Sequence, residues 1–165
     1  MNNIYVKISD YIKENIKSVI TYDGDIVIKK FNDKYELDNT IKYFPNNPNL
    51  FPKIFKINDN IIEMEKLDTK RSITEFNKLN KWFKENLNIS FGSYLMRKYT
   101  FKLIYPDREF PVLPSNISKE YLDIIKRYQK LINSIMLIVG KHFLLDVHSK
   151  NFGYDKSGNL KMFDI

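Results

Sequence analysis

The stretch Leu144–Ile165, LLDVHSKNFGYDKSGNLKMFDI, decides how the rest of the chain is read. Asp146 and Asn151 stand five apart in a polar run. Two short apolar segments follow, Phe152–Tyr154 and Leu160–Phe163, and the turn residues Asp155-Lys156-Ser157-Gly158 between them predict a hairpin. Asp164 lies thirteen residues beyond Asn151, at the far end of the second strand. A hairpin returns its second strand beside its first, so Asp164 is expected close to the loop of Asp146 and Asn151. Two carboxylates and a carboxamide would then meet at a sheet edge. Phosphoryl transfer needs such a set. The Mg²⁺ of a triphosphate takes hard oxygen ligands, a role open to Asp164 and Asn151. The acceptor hydroxyl needs a carboxylate to orient it and take its proton, a role open to Asp146. The same residues also suit ordinary turns, which favour Asp and Asn.

Upstream of this tail, Ser118 can cap a long helix through Val139, with Leu122, Ile125, Tyr128 or Gln129, Ile132 and Met136 stepping along one face. Gly140 is its natural stop. Pro106, Pro111 and Pro114 make the preceding segment loop, and Phe91–Tyr105 reads equally as strand or helix. Ser72-Ile73-Thr74-Glu75 is a capping box at the head of a helix to about Leu87, burying Phe76, Leu79, Phe83 and Leu87. The first 65 residues have a different character. Ser9 can cap a short helix over Asp10–Lys17. Ser18–Tyr22 and Asp25–Phe31 read as strands around an Asp23-Gly24 turn, and Lys53–Ile57 and Ile61–Glu65 as strands around Asn58-Asp59-Asn60. Between the two pairs lies an amphipathic helix, about Asp33 to Phe44, with Leu37, Ile41 and Phe44 on its buried face and Pro45 at its end. The fold class expected is α+β: an antiparallel sheet with one helix, then a helical half.

The tail resembles the protein-kinase-like superfamily, whose catalytic loop reads D-x-x-x-x-N and is followed by a hairpin and the Asp of D-F-G. Asp146, Asn151 and Asp164 match in identity and spacing. His148, two after Asp146, resembles the D-x-H-x-x-N form of the aminoglycoside and choline kinase branch. The resemblance implies Asp146 as catalytic base, His148 beside it contacting phosphate or orienting the loop, and Asn151 and Asp164 as Mg²⁺ ligands. Ile26-Val27-Ile28-Lys29 resembles the V-A-I-K strand, which makes Lys29 the clamp on the ATP phosphates, with Lys30 as the alternative. Glu36 would be its helix partner. Asn47-Pro48-Asn49-Leu50 resembles the turn after that helix. Ile61–Leu67 resembles the strand that runs into the hinge, where backbone groups near Glu65 to Leu67 would bond adenine and Met64 would lie at the back of the pocket. The resemblance implies one kinase-like domain over residues 1–165, with an N-lobe of 1–67 and a truncated C-lobe of 68–165 carrying an insertion at about 68–117.

The chain departs from the family pattern in three places. Leu144 stands where many members have histidine. Only Gly24 lies near the position of a Gly-rich phosphate loop. The sequence given stops at Phe163-Asp164-Ile165, without the glycine of D-F-G. Short chains of this kind resemble kinase-like proteins of bacteriophages and other large DNA viruses, either as natural minimal forms or as fragments. Two functions are therefore expected to compete: ATP–Mg²⁺ binding with phosphotransfer to a hydroxyl, or a degenerate pseudokinase module that binds a host or partner protein.

Composition narrows the remaining classes. There is no cysteine, hence no disulfide and no thiolate metal site. Net charge is +7, but lysines are scattered, alanine is absent and Asn and Ile are abundant, a pattern expected of an A+T-rich genome rather than of a nucleic-acid patch. Basic and aromatic residues do interleave between Tyr94 and Tyr105, a pattern that single-stranded nucleic acid could stack on. A half-buried insertion accounts for it as well, and nucleic acid is not the expected partner. Ile135–Gly140, the longest apolar run, is too short to span a bilayer, and MNNIYVKISD has polar residues where a signal peptide has its apolar core. A cytoplasmic protein is expected, in the host cytoplasm if viral.

Overall fold

A computed structural model describes residues 18–165. The helix expected over Asp10–Lys17 lies outside them. Mixed α+β architecture is found, and the described residues divide into two compact units: 18–48 with Pro52–Lys66, and Asn49–Phe51 with Leu67–Ile165. No helix among the described residues is long and apolar enough to cross a membrane.

The first unit is a four-stranded antiparallel sheet in the order β1-β2-β4-β3, with one helix inserted between its two hairpins. Strands β1 (Ser18–Asp23) and β2 (Ile26–Phe31) pair Asp23 with Ile26, so Gly24 and Asp25 form the turn. That is one residue later than the sequence suggests. The cause is Gly24, whose φ of 56° fits the first central position of a type II′ turn, which matches the twist of the strands. Helix α1 (Lys34–Tyr43) begins at Asp33, whose carboxylate accepts from the Tyr35 and Glu36 N–H groups. Its buried face is Glu36, Asn39 and Thr40, with Phe44 at its end, whereas Ile41 is exposed. The expected stripe is thus rotated, because the face turned inward carries a polar pair described below. β3 (Ile54–Asn58) and β4 (Ile61–Glu65) close the sheet, with a register shift between Ile54 and Lys56. Val27, Phe31, Leu37, Ile54, Ile62 and Met64 form the core.

The second unit packs helices on a two-stranded hairpin. Helix α2 (Thr69–Leu87) starts four residues before the expected capping box: Asp68 is the N-cap and accepts from Lys70 N–H. Ser72 lies inside the helix, where its hydroxyl donates to Phe152 O at 2.6 Å, with Thr69 O the more distant acceptor at 3.0 Å. Phe91–Tyr105 resolves as two short helices, α3 (Phe91–Leu95), capped by Ser90, and α4 (Arg97–Ile104). Helix α5 (Lys119–Val139) is capped by Ser118 and stopped by Gly140, as its sequence predicts. It buries Ile124, Leu131 and Ile135 besides Ile125, Tyr128, Ile132 and Met136. A 3-10 turn (Ser149–Asn151) leads into β5 (Phe152–Tyr154) and β6 (Leu160–Met162). The core is aromatic: Phe76 packs 5.0 Å from Phe91 and 5.7 Å from Phe152, and Tyr128 lies 5.1 Å from Phe152. Such pairs contribute roughly 0.5–1.5 kcal/mol each beyond their buried area. Tyr94 and Phe101 are buried in this unit, so their rings are not open for base stacking.

Candidate functional site

Alternation along β2 puts Val27, Lys29 and Phe31 on one face. Val27 and Phe31 are core, and Lys29 is therefore carried inward, only 5% exposed, while Lys30 stays exposed. An isolated buried ammonium would be costly. The cost is met by Glu36, buried on α1, whose Oε1 accepts from Lys29 Nζ, and by the Phe31 ring 4.6 Å from the same ammonium. Of the two lysines in this strand, Lys29 is the one held against the helix glutamate. Asn39, one turn on from Glu36, is also buried, and its Nδ2 has no hydrogen-bond partner among the described residues. Glu65, at the end of β4, turns its carboxylate to Lys53 N–H at 3.2 Å, while its own N–H donates to Lys53 O. Lys66 N–H donates to Asp25 O at 3.0 Å.

In the second unit the tail residues form one hydrogen-bonded turn. Asn151, 4% exposed, donates from Nδ2 to Asp146 O at 2.8 Å. Its Oδ1 accepts from no described residue. Asn151 O accepts from Phe163 N–H at 3.0 Å, which continues the β5–β6 ladder and brings the chain at Asp164 alongside the Asn151 end of the hairpin. The Asp146 side chain is 80% exposed and caps no backbone N–H; its one described partner is His148 Nε2 at 3.2 Å. His148 Nδ1 accepts from Lys150 N–H at 3.2 Å, which leaves Nε2 beside the Asp146 carboxylate. His148 thus caps the 3-10 turn and stands beside the carboxylate.

Three supports for this turn have no sequence signal. A Cβ at Gly92 would stand 2.2 Å from Val147 O, so α3 can lie directly on the Asp146–His148 loop only because that residue is glycine. A Cβ at Gly153 would meet the Leu67 Cβ at 2.5 Å, which sets buried Leu67 against β5. The paired bonds Asp68 N–H to Tyr154 O and Tyr154 N–H to Asp68 O, 2.8 and 2.9 Å, hold that contact. Below it, Tyr154 OH donates to Glu75 at 2.5 Å and accepts from Arg127. Burial first, then the hydrogen bond to Glu75, pushes the Tyr154 phenol up to about 12, so it stays a neutral donor across the physiological range.

Among the described residues no three His, Cys, Asp or Glu side chains gather into a cluster fit for a metal ion. Asn151 and Asp164 offer one carboxamide oxygen and one carboxylate. That donor set leaves the rest of a coordination sphere to phosphate and water, which is how Mg²⁺ is commonly held. In comparisons with known proteins, no family model matches the chain and no curated protein resembles it significantly.

Proposed function

We propose that this chain is a kinase-like protein of the aminoglycoside and choline kinase type, which binds ATP–Mg²⁺ and is equipped for phosphotransfer to a hydroxyl. The observation that carries the reading is the Asn151 carboxamide, buried and fixed by Nδ2 on Asp146 O with Oδ1 left over as a hard oxygen. An ordinary turn asparagine or aspartate caps nearby backbone N–H groups. Asn151 instead reaches back five residues, and Asp146 leaves its carboxylate to solvent and His148. The buried Lys29–Glu36 pair supports the same reading independently, since a strand lysine is otherwise solvated.

In this reading Asn151 and Asp164 hold Mg²⁺, and Lys29, kept in place by Glu36, binds the phosphates. Bound Mg²⁺ neutralises charge on the phosphate oxygens. Asp146 orients the acceptor hydroxyl and takes its proton, with His148 beside it. Adenine would bond backbone groups from Glu65 to Leu67. Because Glu65 and Lys66 already donate their N–H groups to Lys53 O and Asp25 O, the Leu67 N–H is the free donor of the three.

A second reading, a partner-binding module with or without nucleotide, is favoured by the β1–β2 turn. With only Gly24 and Asp25 between the strands, it has no row of backbone N–H groups to cradle phosphates. The test is a thermal-shift titration with ATP and Mg²⁺. Binding to the native state raises apparent stability by about 2.7 kcal/mol at a hundredfold excess over Kd. A Tm that rises with ATP plus Mg²⁺ and far less with ATP in EDTA supports the nucleotide reading; no rise under either condition leaves the partner-binding module.

A further inference from the structure

At the turn end of the β5–β6 hairpin, the opposite end from Asn151 and Asp164, lies a cavity of about 290 Å³. Arg127, Lys130 and Ser134 of α5 form one wall, at i, i+3 and i+7 on a single helix stripe, and Asn49, Gly158 and Asn159 lie in the others. Among the described residues no carboxylate lines it.

The charges around the cavity do not balance. Arg71 and Arg127 share a single carboxylate, that of Glu75, at 2.9 and 3.3 Å. Lys161 is matched by Asp155 at 3.2 Å. Lys130 has no described partner. Of the two cations that line the cavity, Arg127 thus shares its carboxylate with Arg71 and Lys130 has none, which leaves the lining net positive. Donors are also in surplus. Lys130 Nζ, Ser134 Oγ and Asn49 Nδ2 make no hydrogen bond to a described residue, and Arg127 uses only Nη1. Arg127 is braced by Glu75 and Tyr154, so its planar fork is preorganised rather than mobile. A dianion with several acceptor oxygens is the complement of such a wall, and a phosphate monoester carries close to two negative charges at neutral pH. The cavity is at the small end of ligand pockets, which restricts the organic part to a few atoms.

We propose that this cavity binds a small phosphate monoester, with Lys130 and Arg127 meeting its charge and Ser134 and Asn49 donating to its oxygens. The site requires no metal and is independent of the proposed nucleotide site.

The test is titration of the full chain with glycerol 2-phosphate, inorganic phosphate and sodium nitrate, in EDTA and at matched ionic strength, followed by amide NMR. The expected result is saturable shifts at Lys130, Ser134, Gly158 and Asn159 with glycerol 2-phosphate, at least as tight as with inorganic phosphate and absent with nitrate. Loss of a charge-assisted hydrogen bond should weaken Kd by about tenfold or more in Lys130→Gln, and loss of a neutral one by a few-fold in Ser134→Ala. Both side chains reach solvent, so both variants should fold. Equal shifts with nitrate would reduce the site to general electrostatic attraction. Shifts confined to residues 146–151, unchanged affinity in Lys130→Gln, or binding of inorganic phosphate alone would each overturn the proposal.

Discussion

Lys29 and Glu36 are the only partners in the first unit whose pairing puts two opposite charges under the sheet among the described residues, and that arrangement has a thermodynamic signature. Truncating one member removes the opposite charge nearest the other's buried one, and breaking a buried pair in this way typically costs about 3–5 kcal/mol. Replacing both with apolar groups of similar volume removes the charges together and is often close to neutral. Lys29→Met and Glu36→Gln are each expected to lower urea-unfolding stability by several kcal/mol, with Lys29→Met/Glu36→Leu much less destabilised than the sum. A double variant as unstable as the two singles combined would mean that the residues act separately. If the pair is kept for phosphate binding, the double variant recovers most of the stability that each single change loses, yet loses nucleotide. That separation distinguishes a functional lysine from one that merely supports the strand.

At the level of elements, periodicity and punctuation predicted most of the fold, and the misses in the second unit share one cause. Helix α5 is long, strongly amphipathic, and bounded by Ser118 and Gly140, so local signals agree and its limits are legible. The hairpin around Asp155–Gly158 is legible for the same reason: Asp155 accepts from the Ser157 and Asn159 N–H groups, as turn chemistry demands. Where a long-range contact outweighs a local one, the sequence misleads. Ser72-Ile73-Thr74-Glu75 has the form of a capping box, yet Ser72 is needed eighty residues away on Phe152 O, and Glu75 on Tyr154. Asp68, bonded to Tyr154 through its backbone, starts the helix instead. Gly92 and Gly153 are invisible in sequence because only the neighbouring backbone gives them meaning. Substitution separates the two serine roles. Asp68→Ala should cost about 1 kcal/mol, the usual worth of an N-cap. Ser72→Ala should cost about 1–3 kcal/mol, because it strands a buried carbonyl. Hydrogen exchange should rise at the β5–β6 amides in Ser72→Ala but not in Asp68→Ala. The reverse order of stabilities would restore Ser72 as the cap.

For the molecule as a whole, a net charge of +7 means that any polyanion, ATP included, will be attracted without a specific site. Bare affinity for ATP is therefore a poor criterion, and its metal and salt dependence is the informative quantity. General attraction between exposed charges is screened over about 10 Å at 0.1 M salt, and buried or metal-bridged contacts far less. Anionic phosphates cannot approach the Asp164 carboxylate without a bridging cation. Asp164→Ala should therefore abolish the Mg²⁺-dependent part of ATP affinity while leaving a weak, salt-sensitive remainder. Asp146→Ala should retain the Mg²⁺-dependent binding and lose any turnover, since its carboxylate faces solvent and His148 rather than a structural partner. Asp146→Ala removes no core group, so its Tm without ligand should move little. Isothermal titration at low and high salt, with and without EDTA, separates the two contributions. If Asp164→Ala binds ATP–Mg²⁺ as the parent does, the tail is a turn and not a metal site. If the parent shows only the salt-sensitive remainder, the resemblance of the tail to kinases would speak for ancestry and not for present work, and the partner-binding reading would be the one left to test.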